Sequence, residues 1–199
     1  MLEMNKKPEV IAGIFLLLTG FSVIITLLTD VKFLTALSSI SEDIKYISEN
    51  TRILQINSFL WISSAFLMII STAALIAAII PYQSFLGYLQ GLFLFLAAAM
   101  FCFSGIKGLA INELLQNFNE LELINADSLK NNILALSKEK DIYLITGYNL
   151  IGLCFFVIGI FAYLTLRIPL FTGIMSSLTG IMIPLFTIFF RIVCLEILV

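Results

Sequence analysis

The sequence predicts an all-α protein, an integral membrane helical bundle that forms a single transmembrane domain over residues 1–199. Hydrophobic residues make up 60% of the chain and charged residues only 12%, with a mean hydropathy of +1.07. A soluble domain is nearer a quarter charged. Apolar residues also gather in five long runs, each close to the roughly 20 residues that cross a bilayer as a helix. These runs cover residues 10–28, 53–80, 85–106, 142–166 and 170–190.

The first run follows Pro8, which suits the first turn of a helix. It is too long for a signal peptide and lacks a convincing cleavage site, so we expect a retained span. Residues 29–52 then form a polar loop. Within it, Leu37, Ile40, Ile44 and Ile47 recur at helical spacing, which predicts a short amphipathic helix. A solvated connecting helix is the favoured interpretation, and a lid or docking helix is the alternative.

The second and third runs are joined by the short connection 81–84, so we expect antiparallel neighbours. Asn57 and Trp61 stand near the start of the second run, where headgroup-level anchors occur. The third run holds Gly87 and Gly91 in a GxxxG pattern, which favours close helix packing and indicates dimerisation only weakly. Gln90 is an uncharged polar residue inside this run and needs a partner there.

The polar loop 107–141 predicts two short amphipathic helices that lie on the bundle or in the interface. One set of apolar positions precedes Asp127 and another follows it: Ile111, Leu114, Leu115, Phe118 and Leu121, then Leu129, Ile133 and Leu136. A surface cover for the bundle is the favoured interpretation. A loop of this length also suggests function.

The fourth and fifth runs are separated only by Arg167, Ile168 and Pro169, which predicts a membrane-spanning helical hairpin. Each run carries two glycines seven residues apart. They are Gly152 and Gly159, then Gly173 and Gly180. Pro184 should kink the fifth helix.

The sequence lacks the residues that several classes of function require. The chain has no histidine and a net charge of −2, which argues against histidine-based catalysis or metal sites and against nucleic-acid binding. The five apolar runs contain no ionisable Asp, Glu, Lys or Arg, whereas ion-coupled transporters usually keep such residues in their spans. Cys102, Cys154 and Cys194 are interpreted as packing residues. We therefore expect no catalytic residue, no metal site and no cofactor.

Three functional hypotheses remain. The first is a noncatalytic accessory or oligomer-forming subunit that contacts lipid and other membrane subunits, or itself, through helix-packing glycines. The second is a binder or carrier of an apolar or neutral ligand within the bundle. The third, an enzyme, requires loop carboxylates such as Glu113, Glu120 and Glu122 to converge near the membrane surface. Candidate ligand or helix-packing polar contacts are Asn57, Gln90, Tyr148 and Asn149, and the packing glycines are Gly13, Gly20, Gly87, Gly91, Gly152, Gly159, Gly173 and Gly180.

Five spans place the two termini on opposite sides of the membrane. The positive-inside rule gives a divided answer. Lys6, Lys7 and Arg167 lie on the side of the N-terminus, and seven cations lie in the two long loops. Those loops are net acidic, and the N-terminal lysines directly precede the first span. We therefore expect the N-terminus inside the cell.

The hairpin carries a family resemblance. Gly159, Tyr163, Arg167, Pro169 and Gly173 give a glycine, a tyrosine soon after, a basic turn, a proline and a glycine four residues later. This pattern resembles a late pair of spans in an uncharacterised prokaryotic membrane family, domain of unknown function 4386. The start Ile11-Ala12-Gly13-Ile14 and the polar Asp127-Ser128-Leu129 are also similar. The family usually has a further span after this hairpin. The resemblance implies a multi-pass protein of the prokaryotic cell membrane, and it implies no activity or catalytic residues.

Overall fold

Helices account for almost all of the chain that can be described. The structure, a computed structural model, describes residues 7–34, 51–118, 126–165 and 170–197. They form five helices and, within these ranges, no strand. The helices are α1 (Lys7–Leu34), α2 (Thr51–Ile79), α3 (Ser84–Phe118), α4 (Ala126–Thr165) and α5 (Leu170–Ile197). The predicted all-α class is confirmed.

Each helix packs chiefly on the next one along the chain. A tight turn at residues 80–83 reverses the chain between α2 and α3, with the amides of Tyr82 and Gln83 donating to the carbonyl of Ile79 at 3.0 and 3.1 Å. The main core lies between α2, α3 and α4 and includes Trp61, Phe101 and Val157. Among the described helices, α1 therefore has extensive contacts only with α2, and α5 only with α4.

The outer surface of the bundle is apolar. Three helical stretches are long and apolar enough to cross a membrane: Thr51–Ile79, Ser84–Gln116 and Asn131–Thr165. Gly13–Thr26 and Leu170–Phe186 are also apolar helical stretches, although shorter. Large side chains point outward, with Leu17 at 76% and Phe171 at 73% exposure. Continuous apolar surface of this kind is unusual on a soluble monomer, so a membrane helical bundle is the appropriate class.

The prediction of two separate short helices in the loop 107–141 is wrong. Residues up to Phe118 continue α3, and residues from Ala126 onward belong to α4, so both segments extend helices of the main bundle. The 40 residues of α4 give a length of about 60 Å, twice the hydrocarbon thickness of about 30 Å. One stripe continues α3 beyond its apolar run, and the other begins α4 before its apolar run.

Several of the apolar positions predicted in the segment 107–141 nevertheless pack in the interior of the protein. Ile111 and Leu115 of α3 pack with Ile133 of α4 and Leu54 of α2 in a second small core. We call the paired segments 107–118 and 126–141 the α3–α4 extension. In the other predicted loop, α1 continues to Leu34, beyond the predicted end at residue 28. The amphipathic helix expected from Leu37 lies outside the described residues.

Candidate functional site

The four polar residues singled out by sequence do not form one site. Asn57 and Gln90 are buried, and Tyr148 and Asn149 are half-buried. Asn57 faces α1, Tyr148 joins an aromatic cluster, and Gln90 lies beside Cys154 of α4. These positions in the bundle give the candidate residues separate local environments.

Asn57 belongs to a polar seam between α1 and α2. Its side-chain amide donates to the backbone carbonyl of Thr26 at 3.2 Å. One heptad further along α2, the hydroxyl of Ser64 lies 2.6 Å from that of Ser22 and 3.5 Å from that of Thr26. Spacing of seven residues keeps Asn57 and Ser64 on one face of α2. Within the low dielectric of a membrane, such hydrogen bonds hold helices together.

The seam continues for another heptad. The hydroxyls of Thr19 and Ser71 lie 2.7 Å apart, and both residues are buried. Thr19 and Ser71 each also bond a backbone carbonyl in their own helix, at Phe15 and Leu67. We call Thr19, Ser22, Thr26, Asn57, Ser64 and Ser71 together the α1–α2 seam. Of these residues only Asn57 was predicted as a polar contact, although the hydroxyl residues at positions 19, 22 and 26 follow helical spacing and indicate a polar face on α1.

Tyr148 lies in an aromatic cluster at the centre of the bundle. Its ring centroid lies 5.3 Å from that of Phe101 and 6.0 Å from that of Trp61, both in edge-on arrangements. Trp61 and Phe101 lie 4.8 Å apart. Gly147 makes room for this cluster, since a Cβ there would lie 2.6 Å from a ring carbon of Phe101. Trp61 is fully buried, so it is a core residue and does not act as the surface anchor expected from its position.

Gln90 is the most enclosed of the four candidates. It is 1% exposed, and neither the nitrogen nor the oxygen of its side-chain amide has a hydrogen-bond partner. The Cys154 thiol lies beside the amide, but the contact does not meet the geometry of a hydrogen bond, and sulfur is a weak partner in any case. Buried unpaired amides are costly, so Gln90 is either a source of instability or a contact for a polar group.

The glycines of α4 and α5 meet in pairs. A Cβ at Gly180 would lie 2.7 Å from the carbonyl oxygen of Gly152, and a Cβ at Gly159 would lie 2.8 Å from that of Gly173. The equal spacing of seven residues in both helices puts the two antiparallel pairs in register one heptad apart. Backbones approach this closely only where side chains are absent.

Gly87 and Gly91 face inward, toward α2. A Cβ at Gly87 would lie 3.3 Å from atoms of Ile79 and Ile80, and one at Gly91 would overlap the side chain of Ile76. The GxxxG pattern is therefore occupied within the hairpin and does not present a surface for another chain.

Two further glycines of α3 were missed. Gly105 faces the carbonyl oxygen of Ser58 at 2.7 Å from an added Cβ, and Gly108 abuts the Ser58 side chain. Gly91, Ala98 and Gly105 recur at intervals of seven residues, and this repeat could have revealed a small-residue stripe along the whole α2–α3 contact.

Gly13 and Gly20 differ from all of these. Both are exposed, and a Cβ at either would meet nothing within 4 Å. Their expected helix packing therefore has no counterpart inside the described chain. Every other glycine abuts a neighbouring helix, so the exposed pair on α1 is the exception.

Lys140 is a buried lysine, although its place in the polar segment 107–141 predicts a surface position. It is 5% exposed, and its Cε lies 4.0 Å from the position of a Cβ on Gly108. Ser104 and Asn112, one turn on either side of Gly108, are buried, and the Ser104 hydroxyl and the Asn112 carbonyl oxygen have no hydrogen-bond partner. Near the surface of the same region, Lys107 and Glu139 form an ion pair at 2.5 Å.

The carboxylates required by the enzyme hypothesis are not brought together among the described residues. Glu113 is exposed on α3, and Glu120 and Glu122 lie outside the described part of the chain. Within that part, no group of three or more His, Cys, Asp or Glu side chains has the arrangement that a metal ion requires. The expectation of no catalytic residue and no cofactor stays a prediction.

An apolar groove of about 210 Å³ lies between α2 and α3. Alanines, including Ala65 and Ala99, line it together with Phe66, Phe95 and Phe103. None of the four polar candidates borders this groove.

Comparison with known proteins adds no relative: no protein-family model, curated protein or solved structure matches the chain. The resemblance to domain of unknown function 4386 therefore stays a prediction, and the site must be interpreted from its own geometry.

Proposed function

We propose that the chain is a noncatalytic integral membrane protein of the prokaryotic cell membrane, an accessory or oligomer-forming subunit that associates through α1. The observation that carries the proposal is the exposed pair Gly13 and Gly20, one heptad apart, with open space above both. We also propose membership of the domain of unknown function 4386 family, on the motif residues quoted above.

The exposed glycines favour association with another helix because they have no side chain to keep the two backbones apart. In a bilayer, helices gain little by hiding apolar side chains from lipid, and close backbone contact supplies much of the attraction. Gly13 and Gly20 offer such a contact beside Leu17, which is 76% exposed. Glycine lowers helix stability relative to alanine, and no helix among the described residues packs against Gly13 or Gly20 to account for a glycine there.

Five membrane crossings are consistent with the helix lengths. Helices α1 and α5 have 28 residues each, or about 42 Å, which exceeds the hydrocarbon thickness of about 30 Å. We therefore propose that α1 and α5 cross the membrane together with α2, α3 and α4.

The test is crosslinking of the full chain in its native membrane, followed by identification of the captured proteins. We expect crosslinked homo-oligomers or a defined partner in the wild type, and at least a fivefold loss in the double variant Gly13→Leu, Gly20→Leu. Ala77→Leu is the matched control, because Ala77 is an exposed small residue on α2, and its crosslinking should equal that of the wild type. Monomer alone, with no partner, would contradict the proposal.

The alternative function, a binder or carrier of an apolar or neutral ligand within the bundle, is favoured by the buried amide of Gln90, whose two polar atoms lack partners. A small neutral molecule retained through mild-detergent purification, and lost in Gln90→Leu, would support this alternative over the subunit role.

A further inference from the structure

The apolar groove between α2 and α3 has a floor of small residues and aromatic walls. Ala65, Ala98 and Ala99 form the floor, and Phe66, Phe95 and Phe103 stand beside it. The three phenylalanines are 62%, 52% and 48% exposed. No lining side chain carries a nitrogen or oxygen atom. An occupant of the groove must therefore be apolar.

The groove lies along the part of the bundle that faces hydrocarbon. Its α3 residues run from Phe95 to Phe103, a distance of about 12 Å along the helix, and all lie within the apolar stretch Ser84–Gln116. Because α2 and α3 are antiparallel, the groove follows the bundle axis. A chain lying in it would run in the direction of lipid tails.

Size separates the two apolar occupants that a membrane offers. A helix from a second copy is 10–12 Å across, so it could place only single side chains in a groove of about 210 Å³ and could not lie along its floor. A single hydrocarbon chain is slender enough to enter between the phenylalanines and reach the alanine floor. We propose that the groove binds one acyl chain of a bilayer phospholipid.

The sole tryptophan gives this site a direct probe. Trp61 is 0% exposed, so bulk lipid cannot touch it, and it lies one helical turn from Ala65 on the groove floor. A chain seated in the groove would lie against Ala65, one turn along α2 from Trp61, whereas lipid outside the groove has no access to the buried indole. Heavy-atom quenching of Trp61 therefore distinguishes a seated chain from ordinary lipid contact.

The experiment reconstitutes the full protein in vesicles of phosphatidylcholine whose acyl chains carry bromine, with unbrominated vesicles as the reference for each variant. We expect strong quenching of Trp61 in the wild type. Ala99→Phe fills the groove and should lower the quenched fraction at least twofold. Ala77→Phe adds the same bulk to a lipid-facing position outside the groove and should match the wild type.

Two results would overturn the proposal. One is quenching that is equal in the wild type and Ala99→Phe. The other is a wild type that is not quenched, or that is quenched only after dilution into excess lipid, which would indicate a second copy in the groove. If Ala99→Phe fails to fold, the quenched fraction of Trp61 is compared between the wild type and Ala99→Leu, which adds a smaller side chain to the groove.

Discussion

At the scale of single residues, the eleven glycines divide by what a side chain would meet. At Gly152, Gly159 and Gly180, an added Cβ would meet backbone atoms of the partner helix, which cannot rotate away. Gly91 faces the flexible side chain of Ile76, and Gly13 and Gly20 face open space. One residue type therefore marks an internal contact at some positions and a free surface at others, and composition alone does not distinguish them.

Gly180→Ala should destabilise the α4–α5 contact. The added Cβ would lie 2.6 Å from the amide nitrogen of Phe156 and 2.7 Å from the carbonyl oxygen of Gly152, so the helices must separate. We expect a loss of about 1–3 kcal/mol, measured by unfolding in sodium dodecyl sulfate with circular dichroism. Gly20→Ala is the control and should stay within about 0.5 kcal/mol of the wild type. Equal losses would contradict the assigned contact.

Gln90→Leu should stabilise the fold. The wild-type amide is 1% exposed with neither polar atom paired, and a buried unpaired group costs about 1–3 kcal/mol. Leucine keeps most of the volume and removes this cost, so the same unfolding assay should show a gain of about 1 kcal/mol.

Asn57→Leu provides the comparison for Gln90→Leu. This change removes the amide that donates to the carbonyl of Thr26 and should lower stability. A loss in Gln90→Leu as large as the one in Asn57→Leu would mean that Gln90 has a polar partner, and would favour the ligand-binding alternative.

At the scale of helices, α1 and α5 attach to the bundle by different means. Helix α5 contacts α4 through paired glycines, whereas α1 contacts α2 through the hydrogen bonds of the α1–α2 seam. Hydroxyl pairs between membrane helices contribute modestly, about 0.6 kcal/mol each on average. The contact of α1 therefore depends on several weak bonds acting together.

The double variant Ser64→Ala, Ser71→Ala should weaken the attachment of α1. Both serines bond hydroxyls of α1, at 2.6 and 2.7 Å, so we expect a loss of about 1–2 kcal/mol, with increased hydrogen exchange in α1. Ser63→Ala is the matched control. Ser63 is exposed and donates to the carbonyl of Phe59 in its own helix, so its removal should leave both measurements unchanged. An equal effect of Ser63→Ala would contradict the role of the seam.

The sequence predicts the helices better than their ends and contacts. Apolar runs of about 20 residues identified each of the five described helices, because crossing hydrocarbon demands length and composition together. The prediction for the α3–α4 extension is wrong because an amphipathic stripe looks the same in a separate helix and in a helix that is continuous with a span. The burial of Lys140 was equally hidden, since it involves residues of another helix, with the Lys140 Cε 4.0 Å from where a Cβ of Gly108 on α3 would lie.

At the scale of the whole molecule, extensive contacts among the five described helices join only consecutive ones. The terminal helices therefore keep large lipid-facing surfaces, with Leu17 of α1 and Phe171 of α5 among the most exposed side chains. The proposed contacts with other proteins would form most readily there, since the faces of α2, α3 and α4 are shared among more neighbours. This arrangement agrees with association through α1, while the groove between α2 and α3 remains accessible to lipid.

The orientation of the molecule can be tested with two exposed positions. If five helices cross the membrane with the N-terminus inside, the turn before Ser84 faces the cytoplasm and the α3–α4 extension projects outside. We expect Asn131→Cys to react with a membrane-impermeant thiol reagent on intact cells, and Ser84→Cys to react only after lysis. Both residues are exposed helical positions, and the native Cys102, Cys154 and Cys194 are replaced by alanine beforehand.

The reverse labelling pattern would invert the orientation while keeping five crossings. It would mean that the seven cations of the long loops outweigh Lys6 and Lys7 in directing insertion. Reaction of both cysteines on intact cells would contradict the crossing of α3 itself, because α3 separates the two positions. The pair therefore tests the orientation and one crossing in the same experiment, independently of any partner or ligand.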